Sequence, residues 1–146
     1  MNRLKFLCVA AALVLVFSGV AATVQAGMSR QDTMKEIGKN MKAIKGIIGV
    51  GGPAADAAAP AQKIAELAAM IPSLFPEGSD TPDDSAKAEI WQNWDDFTAK
   101  AKALEEAATM LVSAAGGGDI ATVGAQFEKV GGACGSCHKA YREPKT

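Results

Sequence analysis

The chain has 146 residues, 49% of them hydrophobic and 21% charged, which predicts one globular domain with its own hydrophobic core. Its 15 basic residues nearly balance its 16 acidic residues. That mild negative balance gives no reason to expect nucleic acid or an anionic membrane as a partner.

The N-terminal segment has the three-part layout of a secretory signal peptide. Two basic residues come first, residues 6–20 are almost entirely apolar, and residues 24–26 have the small-x-small pattern that signal peptidase cuts. The apolar run is shorter than the roughly 20 residues of a membrane span, although an uncleaved anchor is the alternative. We therefore predict a signal peptide at 1–26, cleaved near Ala26, and an exported mature domain at 27–146.

Apolar residues of the mature chain recur at helical rather than strand spacing. In the first helix they alternate three and four residues apart, and lysines lie off this stripe. The stripe consists of Met34, Ile37, Met41, Ile44 and Ile48. A glycine-rich stretch at 49–53 ends the helix, and residues 49–60 form a loop whose conformation the pattern does not determine.

Three more helices follow in the sequence. An alanine-rich helix at 60–70 has Ile64, Leu67 and Ile71 on its inner side, and a long loop with prolines at 72, 76 and 82 comes next. Cap candidates for the third helix are Asp83, Asp84 and Ser85, and its inner stripe is Ile90, Trp94, Phe97, Ala101 and Leu104.

Glycines at 116–118 end the third helix, and Asp119 is the expected cap of the fourth. The fourth stripe is Val123, Phe127, Val130, Cys134, Cys137 and Tyr141. The fold class is therefore all-α, an antiparallel four-helix bundle. The many alanines let the helices approach closely but leave little side-chain volume, so something else must fill the core.

Residues 134–138 read Cys-Gly-Ser-Cys-His, the C-x-x-C-H pattern of covalent haem attachment. Positions three and four apart share a helix face, so Cys134, Cys137 and His138 project to one side. The two thiols can then form thioethers with the haem vinyl groups while the imidazole reaches the iron. Because His138 is the only histidine, ligation by two histidines of one chain is excluded. The bundle is thus predicted to enclose one haem c.

Other interpretations of this motif are weaker. A thiol–disulfide redox pair belongs near the start of a helix in a βαβ setting, whereas this motif lies near the C-terminus of an all-helical chain. Zinc needs four ligands, and the motif offers three. Because Cys8 leaves with the signal peptide, a disulfide between the two remaining cysteines is the alternative left open.

Further motifs accompany the C-terminal one. They are Arg30-Gln31-x-x-Met34-Lys35-x-x-Gly38, Ile71-Pro72-Ser73-Leu74-Phe75-Pro76, Ile90-Trp91 with Phe97, and Lys139-Ala140-Tyr141-Arg142 directly after the haem motif. Together they resemble the class II cytochromes c, which include the cytochromes c′ and their low-spin, methionine-ligated relatives. The resemblance covers essentially the whole mature chain.

The resemblance places Met34 on the distal side of the haem. In the low-spin relatives a methionine of the first helix binds the iron, whereas in cytochromes c′ the iron is five-coordinate and high-spin. We expect Met34 to be the second axial ligand, with core packing as its alternative. Met41 is the runner-up, and Met70 and Met110 are expected in the core.

The resemblance also implies places for other side chains. Arg30 matches a position near the haem propionates, where a guanidinium suits a carboxylate; a solvated arginine is the alternative. Arg142 either flanks the proximal imidazole or lies on the surface. Large aromatic residues are expected to pack the core and the haem edge, namely Trp91, Trp94, Phe97, Phe127 and Tyr141.

Two functions follow from these expectations. The first is a periplasmic carrier of single electrons with a His/Met-ligated haem and small redox partner proteins. The alternative is a high-spin cytochrome c′-like protein whose open distal site binds nitric oxide or carbon monoxide. An enzyme is not expected, because no distal histidine is available as a general base. The resemblance also implies a homodimer through the first helix, and no membrane partner is expected after signal cleavage.

Overall fold

The computed structural model describes residues 28–79 and 85–144. The predicted signal peptide at 1–26 lies outside these residues. Within the described ranges the chain forms five α-helices, namely α1 Arg30–Gly49, α2 Ala58–Met70, α3 Glu89–Gln92, α4 Trp94–Gly116 and α5 Ile120–Tyr141. The four long helices confirm the predicted all-α bundle.

Helices α1 and α5 both begin with a side-chain cap. The Ser29 hydroxyl accepts a hydrogen bond from the backbone N–H of Asp32 at the start of α1. The Asp119 carboxylate accepts from the backbone N–H groups of Ala121 and Thr122 at the start of α5, as predicted. These bonds satisfy donors that the first turn of a helix leaves unpaired.

The segment between α1 and α2 is more ordered than the sequence pattern indicated. Gly51 has a φ of 62°, a left-handed conformation that reverses the chain after α1. A 3₁₀ turn at Ala54–Ala57 then leads directly into α2. The second helix therefore starts at Ala58 rather than at Pro60.

The third predicted helix is interrupted. Asn93 has φ −126° and ψ 49°, which lies outside the helical region, so the helix is interrupted between α3 and α4. Ser85 is not a helix cap, because α3 begins at Glu89 and Ala88 occupies its N-cap position. Asp83 and Asp84, the other two predicted caps, lie outside the described residues.

Alanines bring α2 and α4 together, as their abundance predicted. The small buried residues are Ala61, Ala65 and Ala68 of α2 and Ala101, Ala108 and Ala115 of α4. Larger apolar side chains fill the space between them, namely Ile64, Leu67, Leu104 and Leu111. Burial of each such side chain stabilises the fold by roughly 2 kcal/mol.

The prediction of a core position was wrong for three residues. Trp94, Met70 and Met110 are 38%, 40% and 57% exposed. Trp94 still packs partly against Phe97, with the ring centroids 5.5 Å apart. None of the helices in the described ranges is long and apolar enough to cross a membrane.

Candidate haem site

A cavity of about 420 Å³ lies between the first turns of α1, the last turns of α5 and the segment that follows α2. We call it the α1–α5 cavity. Its lining includes Arg30, Gln31, Met34, Lys35, Ile71, Phe75, Ser85, Ala86, Ile90, Phe97, Cys137, His138, Tyr141 and Arg142. Its size falls in the range of roughly 300–1,000 Å³ typical of ligand and cofactor sites.

Helix α5 contributes the haem-attachment motif. Cys137 and His138 line the cavity, and Cys134 lies one turn earlier and packs against the core. All three side chains are half-buried, and both cysteines are free thiols. The helix therefore keeps the predicted arrangement of two thiols and an imidazole three and four positions apart.

The electrostatics of the two thiols argue against a redox-active dithiol. Burial raises the pKa of Cys134 and is also the main reason why the pKa of Cys137 is raised. A thiol–disulfide redox pair needs the opposite shift, because the thiolate is the reactive form. The described residues contain no cluster of three or more His, Cys, Asp or Glu arranged to hold a metal ion.

The surroundings of His138 favour its neutral form. Burial lowers the pKa of its imidazole, and the nearby positive charge of Arg142 lowers it further. A neutral imidazole is the form that binds a metal ion. Arg142 is half-buried and lines the same cavity as His138.

Helix α1 contributes Met34, which is half-buried and lines the cavity. Met41, the runner-up ligand, packs against the hydrophobic core and is not among the residues that line the cavity. The structure thus brings Met34, and not Met41, to the same cavity as His138.

Arg30 lies at the same cavity and is not a solvated arginine. Its guanidinium carbon is 4.4 Å from the ring centroid of Phe75, and its Nε donates to the Leu74 carbonyl oxygen at 2.6 Å. A second guanidinium nitrogen donates to the Ser79 hydroxyl. These contacts tie α1 to the segment after α2 and hold the guanidinium at the cavity wall.

Aromatic rings form the apolar wall on the side of α4. The ring centroid of Phe97 lies 5.0 Å from that of Phe75 and 5.4 Å from that of Tyr141, and both pairs are edge-to-face. Tyr141 and Phe97 are at the cavity as predicted. Trp91 and Phe127 pack against the hydrophobic core but do not line the cavity. Trp91 instead donates its indole N–H to the carbonyl oxygens of Phe75 and Pro76.

The lining fits a haem c. One thiol and an imidazole of the lining come from α5, with the Cys134 thiol one turn earlier, a thioether comes from α1, and the walls are largely apolar, as a porphyrin ring requires. Arg30, Lys35 and Arg142 also line the cavity, whereas none of its described lining residues is acidic. The ammonium of Lys35 is paired with Asp32 at 3.3 Å, so the two arginines are the better candidates to face the haem propionates.

A family model described as Cytochrome C′ matches residues 25–142. The chain belongs to the cytochrome c′ family. Members of this family bind a covalently attached haem c and serve in electron transfer or gas binding. The resemblance to class II cytochromes c is therefore confirmed.

Individual relatives support this assignment along the described part of the chain. The chain is 37% identical over 116 residues to the cytochrome c′ of Pararhodospirillum photometricum, and the aligned region covers 78% of this chain and 93% of that protein. It is similar to a solved cytochrome c′ with ligand-controlled dimer dissociation, at 32% identity and a TM-score of 0.73 over 82% of this chain and 100% of that one. It is also similar to a nitric oxide complex of a cytochrome c′ variant from Alcaligenes xylosoxidans, at 28% identity and a TM-score of 0.72 over 80% and 91% of the two chains.

Sequence reasoning missed several residues at the site. Lys35 and Gln31 line the cavity through their positions next to Met34 and Arg30 on α1, a neighbourhood that helical spacing indicates. Asp96 accepts a hydrogen bond from the Tyr141 hydroxyl. The two residues are 45 positions apart in the sequence, so no local pattern signals that contact.

Proposed function

We propose that this protein carries single electrons through a haem c attached to Cys134 and Cys137, with His138 and Met34 as the axial ligands of the iron. One observation supports the proposal most strongly. Met34 and His138, from two different helices, line the same cavity beside the haem-attachment turn. The chain thus offers one imidazole and one thioether to a single bound group.

The side chains of the cavity have distinct parts in this function. When bound, the haem supplies an iron that gains and loses one electron. The neutral imidazole of His138 offers a nitrogen ligand, and the soft Met34 sulfur favours the reduced state and so raises the reduction potential. Phe75 and Phe97 make the wall apolar, which limits the access of water and raises the potential further.

Arg30 has a separate part in the proposal. Its guanidinium is held at the cavity wall by Phe75 and by the Leu74 carbonyl oxygen. From that position it is proposed to pair with a haem propionate through charge-assisted hydrogen bonds. Its existing contacts leave it partly ordered before any such pairing, which reduces the entropy lost on binding.

The second candidate function is gas binding at an open distal site. The solved relative from Alcaligenes xylosoxidans is a nitric oxide complex, and that observation favours this candidate. In this chain it requires that Met34 stays off the iron and only packs against the core. The two functions therefore differ in a single bond, between the Met34 sulfur and the iron.

Carbon monoxide binding to the reduced protein distinguishes the two functions. If Met34 is a ligand, carbon monoxide must displace it, and Met34→Ala should increase the apparent affinity by about tenfold or more, the factor that corresponds to about 1.4 kcal/mol. Met41→Ala is the matched control, because Met41 lies on the same helix outside the cavity lining. Tight carbon monoxide binding by the wild-type protein, unchanged in Met34→Ala, would instead support gas binding.

Export and assembly complete the proposal. The protein is proposed to reach the periplasm after cleavage near Ala26, to exchange electrons with small redox proteins, and to form a homodimer through α1. A relative whose dimer dissociation is controlled by a ligand supports the dimer. Mass spectrometry of the periplasmic protein tests the cleavage site, and analytical ultracentrifugation tests the dimer.

A further inference from the structure

The hydroxyl of Tyr141 links the end of α5 to the start of α4. It donates to a carboxylate oxygen of Asp96 at 2.5 Å and lies 3.4 Å from the carbonyl oxygen of Asn93. Tyr141 is only 6% exposed and lines the α1–α5 cavity three residues after His138. The Asp96 carboxylate is therefore held against the helix that carries the haem-attachment motif.

Asp96 does not stand alone at this place. The ammonium nitrogen of Lys100, one turn further along α4, lies 3.7 Å from the other carboxylate oxygen of Asp96. Tyr141 is part of the cavity wall and its hydroxyl contacts Asp96 directly. A pair of opposite charges on α4 thus lies next to a side chain of the cavity that would hold the haem.

We infer that Asp96, held in place by Tyr141 and opposed by Lys100, sets the reduction potential of the attached haem. A negative charge stabilises the oxidised haem, which carries one more positive charge than the reduced haem. Asp96 therefore lowers the potential, and Lys100 raises it. The inference rests on haem attachment through Cys134 and Cys137, and it holds whether or not Met34 binds the iron.

A surface ion pair of the ordinary kind would not have this effect. Exposed pairs contribute little and have variable geometry. Asp96 is exposed by about half, yet the buried Tyr141 hydroxyl fixes one of its oxygens, so its charge has a defined position relative to the cavity. Because part of the field passes through solvent, added salt should weaken it.

The test is a spectroelectrochemical titration of the haem-loaded protein at low and high salt. Asp96→Asn keeps an acceptor oxygen and removes the charge, so the potential should shift upward. Lys100→Gln removes the opposing charge, so the potential should shift downward. Both shifts should shrink at high salt, and the optical spectrum should stay that of the wild type.

Asp95→Asn is the matched control. Asp95 precedes Asp96 on α4, is exposed, and lines a different groove together with Thr98 and Lys102. Its substitution removes the same charge and should shift the potential by less than half as much. An equal shift in Asp95→Asn would overturn the inference, and so would a shift of the same sign in Asp96→Asn and Lys100→Gln. The Lys100 variant keeps the test decisive even if the Asp96 variant folds poorly.

A second readout checks the bond that holds Asp96. Tyr141 is the only tyrosine in the chain, so any tyrosine ionisation seen by ultraviolet absorbance belongs to it. The hydrogen bond to Asp96 raises the pKa of Tyr141 to about 12. In Asp96→Asn the pKa should fall toward the ordinary value of 10.0. A wild-type tyrosine that titrates at its ordinary value would show that Asp96 is not held there. The spectrum of the iron is read separately, so failure of this inference is distinguishable from failure of the proposed function.

Discussion

Replacing Gly132 by alanine should stabilise the protein, because glycine in a helix interior loses backbone entropy that alanine does not lose. Gly132 lies inside α5 and is exposed, and a Cβ built at its position has no described heavy atom within 4 Å apart from its chain neighbours and the backbone of its own helix. It precedes Cys134 by two residues, about 200° around the helix, and therefore lies away from the haem-attachment side. The expected gain is about 0.5–1 kcal/mol.

Thermal unfolding followed by circular dichroism is the assay. For a domain of this size the gain corresponds to a rise in Tm of about 4 °C. Gly118→Ala is the control, because Gly118 has a φ of 81° and alanine is strained in that conformation. The control should lower Tm. If Gly132→Ala also lowers Tm, that face of α5 is covered by something other than solvent and the reasoning is refuted.

Three further predictions concern the core, the haem attachment and the alkaline limit of stability. Leu111→Ala should destabilise the protein by about 3 kcal/mol in denaturant unfolding, because Leu111 is fully buried; a loss under 1 kcal/mol would contradict tight packing between α2 and α4. Cys134→Ser combined with Cys137→Ser should leave no haem on the denatured chain in mass spectrometry, and a retained haem mass would exclude thioether attachment at these residues. Because the pKa of Tyr141 is raised in the folded protein, its stabilising effect is complete below pH 10 and is lost as the pH rises toward about 12. The stability difference between wild type and Tyr141→Phe should therefore shrink across that window, and a constant difference would refute the role of Asp96.

Features that depend on neighbouring residues could be predicted from the sequence. Asp119 caps α5 through bonds that reach only two and three residues ahead, and the glycines at 116–118 end α4 by their own backbone preferences. The C-x-x-C-H motif is local in the same sense, since one helix positions Cys134, Cys137 and His138. The expected place of Met34 was implied by the resemblance to a family, and in the structure Met34 lines the same cavity as His138.

Features that depend on distant residues could not be predicted in this way. Apolar spacing identifies one face of a helix, but not whether another element covers it, so Met70 and Met110 were wrongly expected in the core. Trp94 was misplaced because the stripe assumed one continuous helix, whereas the backbone leaves the helical conformation at Asn93, directly before Trp94. The bond from Arg30 to the Leu74 carbonyl joins residues 44 positions apart, and no pattern in a single sequence signals it.

The optical spectrum of the ferric protein reports whether the Met34 sulfur binds the iron. His/Met ligation gives a low-spin spectrum with the far-red methionine–iron charge-transfer band. Met34→Ala should abolish that band, and Met41→Ala, on the same helix, should preserve it. A high-spin ferric spectrum that Met34→Ala leaves unchanged would contradict His/Met ligation and make the open, gas-binding site the better account.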